Sequence, residues 1–350
     1  MSCNACCIYA TLCYVASSIV RNRMNDTFGW ISLAGVFGNI VFMRSNSRKS
    51  SLYEIRHRAK ILVGISICSL IFLGMATSAQ SGKVIGMSST KDNFTSGYSN
   101  VNGIRMYYEI HGEGQPLVLI HGGGSTIGTS FGRLLPIISK QFKVIAVELQ
   151  AHGRTEDRDA PESFEQDADD VAALLHNLKI STTHVLGFSN GGSTAIQIAY
   201  RHPELVDRLI VASSFYKRDG LQPGLLDNIR NATFDVMPQV FKDEFLRVNP
   251  DPKKLQTMFE KDRDRMATFK DWDDSILRSI RSPTLLITGD HDVATPEHSV
   301  AMSRLIPNCR LLILPAGHGQ YIGAAESPAP EGNMLDLTAD IISRFLRDGS

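Results

Sequence analysis

From residue 98 onward, short apolar or β-branched runs alternate with stretches in which apolar residues recur every three or four positions. The first pattern fits strands buried on both faces, and the second fits helices with one apolar face. The runs predict strands over 98–101, 104–110, 117–120, 143–147, 183–187, 209–212, 284–288 and 311–314. The clearest helices are predicted over 165–178, 193–201, 296–305 and 333–347. Strand and helix in alternation imply the α/β class, with a largely parallel sheet covered by helices on both faces. The opening differs, because the first two runs flank Asn102-Gly103, a favoured pair for a two-residue hairpin turn.

One interval, 216–281, breaks the alternation and is far longer than an ordinary connection. Phe234, Met237, Val240, Phe241, Phe245, Leu246, Met258, Phe259, Met266, Phe269 and Trp272 recur through it at helical spacing, which predicts a helical cap over the sheet. Ordinary packing accounts for most of these side chains. A few should line a pocket, because ligands of such sheets sit at the carboxyl ends of the strands, beneath a cap. The expected organisation is a core of 98–215 and 282–350 with the cap between them.

The residues before 98 follow another pattern. Basic residues from Arg44 to Lys60 precede an apolar run over 61–76 and the small residues Thr77-Ser78-Ala79, the order of a secretory signal peptide over 43–79. The run is short for a membrane span, which needs about 20 residues. Export to a secreted or periplasmic location follows, with a membrane anchor as the alternative. Residues 1–42 read as an upstream extension with translation starting at Met43, and 80–97, rich in Ser, Gly and Thr, as a flexible lead-in.

Charge narrows the partners. Lys plus Arg and Asp plus Glu each number 36 among 350 residues, so no basic field invites nucleic acid and a small-molecule substrate fits better. Five of the six cysteines lie upstream of residue 80, so the catalytic part has no disulfide framework. Cys3, Cys6 and Cys7 have no second Cys/His pair at zinc spacing, and neither a metal nor an organic cofactor is implied.

The chemistry centres on Gly187-Phe188-Ser189-Asn190-Gly191, set between a predicted strand and a predicted helix. Strand, G-x-S-x-G, helix is a nucleophile elbow, in which small neighbours let strand and helix approach closely; Gly187 and Gly191 meet that need, with Gly192 in reserve. A serine hydroxyl needs a base, and the base an orienting acid. Gly289-Asp290-His291-Asp292 and Pro315-Ala316-Gly317-His318-Gly319 each follow a predicted strand, which brings them to the same sheet edge as Ser189. His121-Gly122-Gly123-Gly124, after the strand over 117–120, supplies a glycine-rich loop whose N–H groups can face a developing oxyanion.

With these residues the chain resembles the α/β-hydrolase superfamily over about 98–347, in particular its small capped esterase, lactonase and cofactor-free haloperoxidase-like branch. The resemblance implies Ser189 as nucleophile, His318 as general base and then acid, and Asp292 as the orienting carboxylate, with Asp290 as the alternative. It also implies an oxyanion hole of the Gly123 and Asn190 backbone N–H groups. His121 is expected to brace its loop, and His291 and His298 to be solvated loop histidines. Relatives commonly carry Asp and Gly where Glu148 and Ala151 stand, a departure confined to a structural loop.

The activity implied is that of a carboxylic ester hydrolase acting on a small ester or lactone through an acyl-serine. Carbon–carbon bond hydrolysis, amide or peptide cleavage and perhydrolysis can use the same triad. A slow-turnover ligand receptor is the alternative of another class. A serine at the elbow excludes the superfamily's dehalogenase and epoxide-hydrolase chemistries, which use aspartate there.

Overall fold

Alternate residues of the central strands enter two separate cores. Val118 and Ile120, Ile145 and Val147, and Val185 pack on one side; Leu117 and Leu119, Val144 and Ala146, and Leu186 and Phe188 pack on the other. Strands apolar on both faces must be covered on both, which is the physical basis of the predicted layering.

The computed structural model describes residues 94–330 and 332–348. Its strands are β1 (Phe94–Val101), β2 (Ile104–His111), β3 (Pro116–Ile120), β4 (Lys143–Val147), β5 (Thr183–Phe188), β6 (Val206–Ala212), β7 (Thr284–His291) and β8 (Cys309–Gly317). They form one sheet in the order β1-β2-β4-β3-β5-β6-β7-β8. Only the β1–β2 and β2–β4 pairs are antiparallel. Asn102 and Gly103 both take positive φ, 42° and 90°, as the hairpin turn requires.

The helices are α1 (Ile127–Phe131), α2 (Leu135–Ile138), α3 (Phe164–Asn177), α4 (Asn190–Arg201), α5 (Leu225–Arg230), α6 (Gln239–Val248), α7 (Pro252–Thr268), α8 (Asp274–Arg278), α9 (Pro296–Leu305) and α10 (Met334–Arg347). Apolar faces of α3 and α4 cover one side of the sheet, and α1, α2 and α10 cover the other. The short α1 and α2 escape the sequence pattern because neither has enough turns to establish a period.

Between β6 and β7 stand α5 to α8, so the long interval does fold as helices. Met237, Phe245, Leu255 and Met258 give it a small core of its own. Lys261 ties it to the loop ahead of α3, donating to Asp157 at 2.6 Å and to the Arg158 and Ala160 carbonyls at 2.7 and 2.9 Å. Phe269 and Trp272 instead join Phe164 and Phe215 in the main core.

Two expectations need correction. Residues 94–97 are not lead-in: they pair with β2 over Tyr108 to His111 and begin β1. Serine, threonine and glycine are compatible with an edge strand once a partner supplies the ladder bonds. His298 is not a solvated loop residue: it lies in α9, is 7% exposed, stacks on Tyr216 at 5.0 Å and accepts from the Tyr216 N–H through Nε2. His291, by contrast, is exposed.

The proposed extension, signal peptide and cysteine cluster lie outside the described residues, as does the lead-in before residue 94. Among the described residues, no helix is long and apolar enough to cross a membrane.

Candidate active site

Ser189 sits where β5 ends and α4 begins, with φ 56° and ψ −122°, a conformation costly for any residue with a side chain. The surroundings hold it there. Its N–H donates to the Ala212 carbonyl at 2.8 Å, and the glycines around it let backbone approach backbone. A Cβ on Gly187 would stand 2.0 Å from the Gly191 carbonyl oxygen, and one on Gly191 would stand 2.2 Å from that of Ile120. Gly192 is no reserve, since a Cβ there would meet Ser214 Cβ at 2.6 Å. Gly191→Ala is therefore expected to destabilise the fold by about 3 kcal/mol, the upper end for overpacking, as read by urea denaturation. An unchanged midpoint would show that the elbow can widen.

His318, on the loop after β8, brings Nε2 to 3.0 Å from Ser189 Oγ. Its Nδ1 lies 2.6 Å from Asp292 Oδ1. An ionised carboxylate only accepts, so Nδ1 carries the ring proton and Nε2 is free to accept from the serine hydroxyl. Asp290 does not reach the imidazole: a register shift at the end of β7 turns it outward, where it accepts from the Ala316 N–H at 2.9 Å.

Asp292 is 3% exposed yet fully partnered. Oδ1 also accepts from the Val293 N–H at 2.7 Å, and Oδ2 accepts from Ser213 Oγ at 2.5 Å and the Gly289 N–H at 3.0 Å. Burial works to raise this carboxyl. The hydrogen bond and charge of His318, with the bonds from Ser213 and Gly289, outweigh burial and hold it below the usual carboxylate range.

Ser213 is a site residue that the sequence did not reveal. It follows β6 at φ 52°, and its hydroxyl lies 2.7 Å from Tyr321 Oη, so a strained backbone aims it at the acid. Nothing in the local pattern distinguishes it from any serine after a strand.

Gly123 and Asn190 border the cavity beside Ser189. Asn190 is the first residue of α4, where an N–H has no intrahelical acceptor. A Cβ on Gly123 would stand 2.4 Å from Asn190 Nδ2 and from Asp262 Oδ2, so a larger residue there would push those side-chain ends aside. Behind this loop His121 is sealed from solvent. Its Nε2 accepts from the Leu149 N–H at 3.0 Å, and Nδ1 donates to the Gly122 carbonyl at 2.7 Å. Burial pushes it well below the usual histidine range, so it braces the loop as a neutral ring.

The departing loop is intact. Glu148 accepts from the Arg154 N–H at 2.7 Å and pairs with its guanidinium at 2.9 Å, although burial still pushes the carboxyl up to about 7. Ala151 takes φ 61°, the left-handed conformation that favours glycine.

Over Ser189 lies a cavity of about 310 Å³, walled chiefly by apolar side chains of the cap and core, among them Met237, Phe241, Phe259, Met266 and Phe215. Of the expected cap residues, Val240 is exposed. Among the described residues, no group of three or more His, Cys, Asp or Glu could hold a metal ion.

A sheet of this order, a serine elbow after β5 and a helical insertion after β6 make up the α/β-hydrolase fold. A family model described as alpha/beta hydrolase fold matches residues 115–237. An uncharacterised protein of Mycobacterium tuberculosis is 36% identical over 117 residues, which is 33% of this chain and only 34% of the relative's length. The human serine hydrolase BPHL is 29% identical over 251 residues, 66% of this chain and 83% of that protein. Among solved structures, the enol-lactonase from Burkholderia xenovorans LB400 superposes with a TM-score of 0.58 at 23% identity, covering 72% of this chain and 100% of that one. At that identity the likeness speaks for the fold.

Proposed function

We propose that this chain is a serine hydrolase that cleaves a small carboxylic ester or lactone through an acyl-serine intermediate. The observation that carries the reading is the continuous hydrogen-bonded line Ser189–His318–Asp292 opening into an apolar cavity. Ser189 Oγ attacks the carbonyl carbon as His318 Nε2 takes its proton. The negative charge that grows on the carbonyl oxygen is met by the N–H groups of Gly123 and Asn190, each such donor being worth roughly 10²–10³ in rate. His318 then returns the proton to the leaving oxygen. In the second half it deprotonates a water that attacks the acyl-serine, and the acid leaves. Asp292 holds the tautomer and stabilises the imidazolium.

The cavity volume, about 310 Å³, is at the small end of ligand sites and favours a compact substrate. The names of two relatives, a serine hydrolase and an enol-lactonase, agree with that reading. Carbon–carbon, amide and perhydrolytic chemistry would use the same three side chains, and a ligand receptor would use the same cavity.

A serine-reactive fluorophosphonate and a substrate panel separate these readings. The expected result is one adduct on the peptide holding Ser189, with multiple turnovers of a short-chain aryl ester and of a lactone. A diketone cleaved faster than either would move the assignment to carbon–carbon hydrolysis. Neither adduct nor turnover in folded protein would transfer it to the receptor class.

A further inference from the structure

Both residues assigned to the oxyanion hole belong to the core, yet the cap packs against them. On the inner side the loop is held by core groups: the Gly122 N–H donates to Ser130 Oγ at 3.1 Å, and its carbonyl accepts from His121. On the outer side the neighbours are cap side chains. A Cβ on Gly124 would stand 3.7 Å from Met237 Cε and from Phe241 Cδ2. At Gly123 the Asn190 amide and the Asp262 carboxylate stand side by side, each 2.4 Å from where a Cβ would lie.

Those two side chains are bonded to each other. Asp262 of α7 accepts from Asn190 Nδ2 through Oδ1 at 3.0 Å. The same oxygen forms a direct ion pair with Arg265, whose guanidinium continues to Asp167 of α3 at 2.7 Å. A line of contacts thus runs from a core helix through two cap residues and back to the residue after the nucleophile.

The charges suit this arrangement. An unpaired carboxylate beside Gly123 would oppose the negative charge that grows on the carbonyl oxygen, and Arg265 offsets it. Asp262 is left to act as an acceptor, and a hydrogen bond to a charged acceptor is shorter and stronger than one between neutral groups. Asn190 needs such a hold. It follows the strained Ser189 at the first position of α4, where no intrahelical bond fixes its N–H. An oxyanion donor works by being preorganised, and a misplacement of about 1 Å can cost roughly 10²-fold in rate.

We infer that Asp262 is a positioning residue: through the Asn190 side chain it sets the direction of that residue's N–H, so the oxyanion hole is complete only with the cap seated. The inference rests on the serine-hydrolase reading and adds the cap to its machinery.

The test measures kcat and KM for hydrolysis of phenyl butanoate by wild type, Asp262→Ala, Asn190→Ala, the double variant and Asp262→Asn. Each rate is divided by the sites that a fluorophosphonate labels at completion, so unfolded protein does not count. Asn190→Ala keeps the backbone N–H and removes only the tie to the cap. Each alanine variant should lose about ten- to a hundredfold in kcat with KM nearly unchanged, the sign of an interaction made in the transition state. The double variant should lose no more than the worse single one, because both break the same bond. Asp262→Asn, which keeps an acceptor oxygen for Asn190, should recover most of the loss.

A cap that only walls the cavity would instead raise KM, and the two losses would multiply. Unchanged kcat in Asn190→Ala, multiplying losses, or an Asp262→Asn as slow as Asp262→Ala overturns the inference while the hydrolase reading stands. The first of these outcomes needs no change in the cap, so it decides even where Asp262→Ala does not fold. A folded wild type that neither turns over nor is labelled loses the hydrolase reading, and the inference with it.

Discussion

Ser189→Ala is expected to lower kcat on any substrate of this protein by about 10⁴-fold or more while leaving it folded. Removing the nucleophile of such a triad leaves only the rate that the oxyanion N–H groups and substrate binding provide. Alanine keeps the Cβ and so keeps the packing of β5 against α4. Ser189→Gly should be equally inactive yet more stable, because φ 56° with ψ −122° suits glycine and strains serine by about 1–3 kcal/mol. Steady-state kinetics and thermal melts of the three proteins read both effects. Substantial activity in Ser189→Ala would remove the acyl-serine from the mechanism, and a lower melting temperature in Ser189→Gly would remove the strain.

Arg265→Met is expected to cost about 3–5 kcal/mol of stability near neutral pH, the loss typical when one partner of a buried charge cluster is removed. Arg265 is 6% exposed and serves three carboxylates, Asp262, Asp167 and Glu162, of which the last two are equally enclosed. Burial, only partly countered by Arg265, already raises Asp167 to about 7 and Glu162 well above its ordinary 4.5. A carboxyl raised in this way binds more protons folded than unfolded, so stability falls as pH rises from the unfolded value to the folded one. For Asp167 that window runs from 3.8 to about 7. Without the guanidinium both acids shift further up, so the penalty in Arg265→Met should be small near pH 5 and full near pH 8. Urea denaturation at the two pH values measures it, and an equal penalty at both would mean that the cluster's charge is not what Arg265 supports.

The same cluster marks where sequence reasoning stops. Glu162, Asp167, Asp262 and Arg265 sit in stretches whose charges resemble any solvated helix face, and no local pattern links residues 167 and 265. Only the descent of α7 onto the start of α3 brings them together. The burial of His298 escapes the sequence for a related reason: its neighbours in sequence are polar, and it is Tyr216, distant along the chain, that covers it.

What the sequence determined by itself was what depends on near neighbours. Strands apolar on both faces demanded two helical layers, Asn102-Gly103 demanded a tight hairpin, and the glycines around Ser189 demanded a close strand-to-helix turn. The order of Ser189, Asp292 and His318, each beyond a strand, followed from the parallel sheet that those strands required. The tertiary structure alone decided which aspartate faces the imidazole, that Ser213 supports it, which cap side chains line the cavity, and that Asp262 stands beside Gly123. Those facts depend on directions and distances between segments far apart in the chain, and such distances are set by how whole elements pack rather than by any local run of residues.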